Sequence, residues 1–311
     1  MPTEWLEQII STVAALAPPG TFFSHEFNVK GMLAVVLISL ICGAVGSLVV
    51  GNRMAFFSDA LAHCAFAGIA LALLVVVLFD IRRREELSDW LPLLMSLFGI
   101  IFGWGIAFVR ERTTLATDTV IGVFFAGALG FGAFFFNLLR QRTNLSPETF
   151  LFGNLLSIST HDLVLLLALA LITAGLLAWM YNRLVFASFS ASLALSRQFP
   201  LRLFRYLFIM LLALIVNLSF TTIGVMLINA MLIVPAATAN NLARNLRQMF
   251  WLTVGLSLLF SIGGQIITWE VGARTDFRFM PGPGSVIVML SVLAFFGSMA
   301  LAPWLHHRSA A

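Results

Sequence analysis

Charge is what this sequence has least of. Only 10% of its 311 residues are Asp, Glu, Lys or Arg, against 60% that are hydrophobic. With a mean hydropathy of +0.99, this lies far from soluble globular chains, where roughly a quarter of residues are charged. A water-soluble fold is excluded, and the chain reads as an all-α polytopic membrane protein. Lysine is rarer still: Lys30 is the single one, so the formal net charge of +4 rests on arginine. A phosphate-binding P-loop needs Gly-Lys-Ser/Thr, whereas Lys30 stands between Val29 and Gly31, so ATP hydrolysis by that route is excluded. Arginines scattered over many loops act as topology signals and headgroup anchors. Membrane lipid is therefore an expected partner, and nucleic acid is not. Cysteine is limited to Cys42 and Cys64, both inside apolar runs, where they serve as small hydrophobes and not as a disulfide. Neither His-Glu-x-x-His nor Gly-x-Ser-x-Gly occurs, and no catalytic constellation stands in their place. Glu4 and Glu7 occupy the place where a cleaved signal would carry positive charge.

What the chain does have is apolar length. Runs recur at about 31–51, 54–79, 90–109, 119–138, 163–181, 203–219, 221–238, 248–269 and 284–304, each near the ~20 residues that cross a bilayer as a helix. About 8–9 transmembrane helices are expected, and only Asn217, Ser219, Thr221 and Thr222 divide the sixth run from the seventh. Ahead of them Leu6, Ile9, Ile10, Val13 and Leu16 recur beside Trp5 and end at Pro18-Pro19-Gly20, the pattern of an amphipathic helix lying in the interface. The expected organisation is an interfacial segment over 1–29, a transmembrane domain over 30–305 and a short tail over 306–311. By the positive-inside tendency the joins 182–205 and 239–247 are cytoplasmic, and alternation adds 110–118. The same alternation puts 80–89, 139–160 and the N-terminus outside, against their own arginines where they have them. Gly99 and Gly103, and likewise Gly122, Gly127, Gly130 and Gly132, predict close helix packing. Ser159 to Asp162 and Thr117 to Thr119 read as capped helix starts, and His25, His306 and His307 are expected in water.

Away from the ends of the runs, the ionisable residues are Asp59 and His63. A charge near the bilayer centre costs at least about 2.5 kcal/mol, so the pair needs a reason. Four residues apart on a helix, the two side chains share a face about one turn from each other and amount to half of a divalent-metal site. A pair tying two helices together, a pair kept wet near the interface and a proton relay remain as alternatives. The donor set suits zinc or manganese better than calcium or magnesium. Cys64, about 100° further round the helix, is not counted as a third ligand. Ala60, Cys64 and Gly68 form a small-residue stripe along which a second helix can approach to complete the site. A second informative stretch runs from Leu232 to Met249. Pro235 is expected to stop or kink the span, and Ala236, Ala239, Leu242, Ala243, Leu246 and Met249 then read as a short amphipathic helix suited to docking a cytoplasmic partner. Asn229, inside a span, reads as an interhelical hydrogen-bonding residue or an extra oxygen ligand.

Five segments, in order, resemble the membrane subunit of the zinc/manganese/iron group of ABC importers. They are Met54 to His63 with Gly68, Thr117 to Gly122, Leu151 to Leu156, Leu232 to Ala239, and Pro283 to Val288, within about 31–304. The resemblance implies a permease of the bacterial plasma (inner) membrane, itself no enzyme. It would pair with a second copy, two cytoplasmic ATP-binding subunits and an extracytoplasmic metal-binding protein. It also implies that Asp59 and His63 line the metal path, and that Pro235, Ala236, Ala237, Thr238 and Ala239, with Arg244 and Arg247 beyond, meet the ATPase. No permanently bound cofactor is expected, since the divalent metal is cargo, with zinc first and manganese or iron next. A permease for chelated metal or cobalamin and a proton-coupled secondary carrier stay open as alternatives. The segment 1–29, the charged stretch Arg82 to Asp89, and Asn229 depart from the family's usual pattern.

Overall fold

The computed structural model describes residues 4–78, 84–139, 155, 158–189, 201–275 and 281–307. Of the joins, most of 139–160 and of the tail 306–311 falls outside them, as do 80–83 and 190–200. Among the described residues, regular structure is helical throughout. The elements are α1 (Glu4–Leu16), a 3-10 turn (Phe22–Ser24), α2 (Glu26–Gly51), α3 (Ala55–Leu78), α4 (Arg84–Arg112) and α5 (Thr117–Leu139). They continue with α6 (Thr160–Phe189), α7 (Leu201–Ile223), α8 (Val225–Leu242), α9 (Leu246–Arg274) and α10 (Pro283–His307). Nine of these, α2 to α10, are long and apolar enough to cross a membrane, which makes the chain a multi-pass membrane protein.

The helix ends follow local chemistry. Ser159 and Asp162 cap α6 reciprocally: the Ser159 hydroxyl donates to Asp162 Oδ2 at 2.7 Å, and the Asp162 N–H donates to Ser159 Oγ at 3.1 Å. The break between α7 and α8 falls at Gly224, not among Asn217 to Thr222. Its φ of +87° lies in the left-handed region that glycine reaches without cost. α2 starts at Glu26, ahead of its apolar run, where Asn28 Nδ2 donates to the Phe22 carbonyl at 3.0 Å. His25, expected in water, is half-buried with its ring 5.1 Å from that of Trp269. On α1 only Ile10 is buried, while Trp5, Ile9, Val13 and Leu16 are exposed. An apolar side left open in this way is a surface that a membrane interface can cover.

Contacts divide the chain into two compact units. The first comprises Met1–Val50, Phe152–Ala174 and Met226–Ala311, and the second comprises Gly51–Leu151 and Gly175–Val225. In the first unit α9 packs on α10, and α2 approaches α8 and α9 at glycines. A Cβ at Gly46 would collide with the Leu232 carbonyl oxygen, and one at Gly43 would lie 2.8 Å from Val254 Cα. This unit also carries a buried polar line on α9: Thr253, Ser257, Ser261, Gln265 and Thr268. Ser261 and Ser39 of α2 join hydroxyl to hydroxyl across the interface. The two threonines on the line return their hydroxyls to their own helix, Thr253 to the Met249 carbonyl and Thr268 to that of Gly264, whereas Ser257 Oγ and Gln265 Oε1 are buried without a hydrogen-bond partner among the described residues.

In the second unit α3 lies against α5, α4 and α7, and α4 against α7. The Gly99–Gly103 pair serves the last of these contacts: Asn217 sits over Gly99 and Ile209 over Gly103. Close packing is therefore found where that motif predicts it. Gly122, Gly127 and Gly130 on α5 have no neighbour within 4 Å of where a Cβ would stand, so within the described chain they pack against nothing.

Candidate metal path

α3 is the most enclosed of the candidate spans. Ala60, Leu61, Ala62, Cys64 and Ala65 are all buried. In their midst Asp59 and His63 keep 41% and 25% of their side chains exposed, so the pair lies at an opening beside the buried face of the helix. The i,i+4 spacing does what helical geometry requires: His63 Nε2 stands 3.7 Å from Asp59 Oδ1. That is too long for a good hydrogen bond. It is a suitable span for a shared cation, because two donors each about 2.1 Å from an ion and this far apart subtend roughly 120° at it. The imidazole is held from the side by Phe125 of α5, edge to face with ring centroids 4.9 Å apart, which fixes its plane without supplying a competing donor.

The small-residue stripe packs as expected, but it brings no ligand. Cys64 and Ala67 meet Ala128 of α5, with Phe98 and Phe102 of α4 against them, and Gly68 admits Met95. The approaching helices thus present apolar side chains. The Cys64 thiol donates to the Ala60 carbonyl at 2.9 Å and is sealed from the opening. Among the described residues no group of three or more His, Cys, Asp or Glu gathers to hold a metal. Asp59 and His63 form an open half-site.

The second stretch departs from the sequence expectation. α8 runs through Pro235 to Leu242 as one helix, because a proline removes only one backbone bond and the residues around it, Leu232, Ala236 and Ala239, are fully buried. No amphipathic helix links Ala236 to Met249. The chain breaks after Leu242, and Asn245 opens α9 by accepting from the Gln248 N–H at 2.8 Å. Pro235, Ala236, Thr238 and Ala239 are buried and Ala237 is partly so. The segment thus lies inside the helix packing of this chain, not on an exposed amphipathic face. Of the set, Arg244 and Arg247 are exposed.

The sequence reading also passed over two features. The polar line of α9 was legible, since Thr253, Ser257, Ser261 and Gln265 recur every fourth residue in an apolar span. The other is the meeting of Glu111, at the end of α4, with Arg205 at 3.6 Å and with the Tyr206 hydroxyl at 3.3 Å. These contacts bring the end of α4 and the start of α7 together at one end of the second unit.

The family model described as "ABC 3 transport family" matches residues 24–302. A manganese transport system membrane protein, MntC, of Listeria monocytogenes is 26% identical over 279 residues, covering 90% of this chain and 92% of that one. The high-affinity zinc uptake system membrane protein ZnuB of Buchnera aphidicola is 27% identical, covering 88% and 97% respectively. Among solved structures, PsaBC from Streptococcus pneumoniae, in complex with Fab, superposes with a TM-score of 0.73 at 24% identity, over 92% of this chain and 95% of that one. With nine apolar helices and a family match across nearly its whole length, the chain is a multi-pass bacterial membrane protein of the ABC 3 transport family.

Proposed function

We propose that this chain is the permease of an ATP-driven importer of divalent transition-metal ions, with zinc ahead of manganese and iron. It would work as a pair of copies with separate ATP-binding and extracytoplasmic metal-binding subunits. The observation that carries the reading is the half-open Asp59–His63 pair, whose N and O atoms are spaced for one shared cation on the most enclosed helix of the chain. Two ligands from one protomer hold a cation weakly, as transit demands, since a closed four-ligand site would retain it. The remaining positions are filled by water or by groups from outside the described residues. Relatives named for manganese and for zinc support the substrate class and leave the metal open. Hydrolysis of ATP falls to a partner chain, and Arg244 and Arg247, exposed at the α8–α9 turn and the start of α9, are placed to contact it.

The test is metal accumulation by cells carrying the intact system, with zinc, manganese and iron(II) supplied one at a time. Asp59→Ala and His63→Ala should each abolish uptake while the protein still inserts and assembles. Normal uptake by both would remove the site. Transport by the purified chain alone in liposomes under a pH gradient would replace the ATP-driven reading with a proton-coupled carrier.

A further inference from the structure

Where α4 finishes and α7 begins, Arg205 stands 3.6 Å from Glu111, Arg110 lies within electrostatic reach of both, and Arg112 and Arg202 add two further guanidinium groups at the same two helix ends. Counting Asp118 at the nearby start of α5 still leaves the balance positive. Such a surplus is costly, because Arg110 and Arg205 lie close enough to repel each other. The groups are nevertheless arranged. Glu111 bridges Arg205 and the Tyr206 hydroxyl, and Arg112 is set over the Phe108 ring at 5.2 Å. A guanidinium held against an aromatic face keeps donors free for the two non-bridging oxygens of a phosphodiester.

The surface leading to this cluster is apolar and open. Leu93, Leu97, Ile101, Trp104 and Phe108 follow one another every three or four residues along α4, all more than 40% exposed. Phe108 stacks on Trp104 at 5.7 Å. The stripe ends at Arg112, one turn beyond Phe108. A molecule matching this face is long and apolar along one part and anionic at its tip. We propose that the joined ends of α4 and α7 bind the phosphodiester headgroup of an anionic phospholipid, with an acyl chain laid along the Leu93-to-Phe108 stripe. Basic clusters at the membrane surface favour anionic lipid by charge, and here the aromatic stripe adds a seat for the chain.

The test uses the full-length chain in detergent with phosphatidylglycerol or phosphatidylcholine at equal mole fraction. Phosphatidylglycerol should raise the unfolding temperature by several degrees over phosphatidylcholine and should survive as a bound adduct in native mass spectrometry. Arg110→Gln with Arg205→Gln should reduce adduct retention on the order of tenfold, and the corresponding double lysine variant should restore most of it. Arg274→Gln should change nothing, because Arg274 stands at the end of α9, a helix of the first unit that carries none of the arginines of this cluster. Phosphatidylglycerol brominated in its acyl chains should quench Trp104, seen as the part of the quenching lost in Trp104→Phe.

Equal effects of the two lipids would overturn the proposal. Full stabilisation by inorganic phosphate, without quenching, would leave a free-anion site in its place. Survival of the phosphatidylglycerol effect in the double glutamine variant would assign the cluster to a protein partner such as the ATP-binding subunit. If that variant does not accumulate, the lipid comparison and the quenching on the native chain decide.

Discussion

Asp59 and His63 earn their place by contrast with their neighbours. The flanking alanines, leucine and cysteine of α3 are shut inside the unit, while these two side chains open outward. The pair was legible in the sequence because spacing of four on a helix is a local property, and because an acid and an imidazole stand out in hydrocarbon. Their opening was not legible, since it depends on which faces of α3 are covered by α4, α5 and α7. Cys64 gives the sharpest contrast: a soft ligand adjacent in sequence to His63 is turned inward and bonded to the Ala60 carbonyl. We expect Cys64→Ala to leave metal preference and uptake within about twofold of the parent, costing only the packing of one sulfur. Zinc, manganese and iron uptake assays on that variant check this, and a change of preferred metal would return the thiol to the site. Asp59→Asn, which keeps the shape and removes the charge, should lose uptake as completely as Asp59→Ala.

At the scale of the helices, the boundaries were read well where a capping residue or a hydrophobic run marks them and poorly where packing overrides a local signal. The Ser159–Asp162 box starts α6 where its side chains demand. Removing it by Ser159→Ala should lower stability by about 1 kcal/mol, read as a fall in the unfolding temperature of the purified chain. Pro235 is the opposite case, where a residue that breaks isolated helices is carried inside α8 by its buried neighbours. The contact of α2 with α8 has a similar hidden dependence. A side chain at Gly46 meets a backbone carbonyl that cannot swing aside, so Gly46→Leu should cost at least the 1–3 kcal/mol typical of overpacking and reduce accumulation in the membrane. Gly255→Ala, at a position with nothing within 4 Å of a new Cβ, should be tolerated. Comparing melting temperatures of the two variants distinguishes a steric requirement from a general demand for glycine.

For the molecule as a whole, the consequential expectation is dependence on partners. A chain whose only lysine lies outside any P-loop and whose family is one of ABC transport should move metal only when an ATP-binding subunit and a metal-binding protein are present. Reconstitution with and without each, following ATP-dependent zinc and manganese entry, gives a direct reading. Omission of either partner should reduce transport to background.

The sequence by itself determined the all-helical membrane class, the approximate positions of the spans and the Asp59–His63 pair. Run length, hydropathy and i,i+4 spacing are properties of neighbouring residues, and the absence of water leaves helices as the way to satisfy a backbone built from such runs. The tertiary structure alone decided which small residues receive a neighbour, that Pro235 to Ala239 are packed away, that hydroxyls line α9 against α2, and that arginines from α4 and α7 converge beside Trp104 and Phe108. Each of these depends on residues distant in the chain meeting across a helix interface, and no local pattern of hydrophobicity encodes which face of which helix that will be.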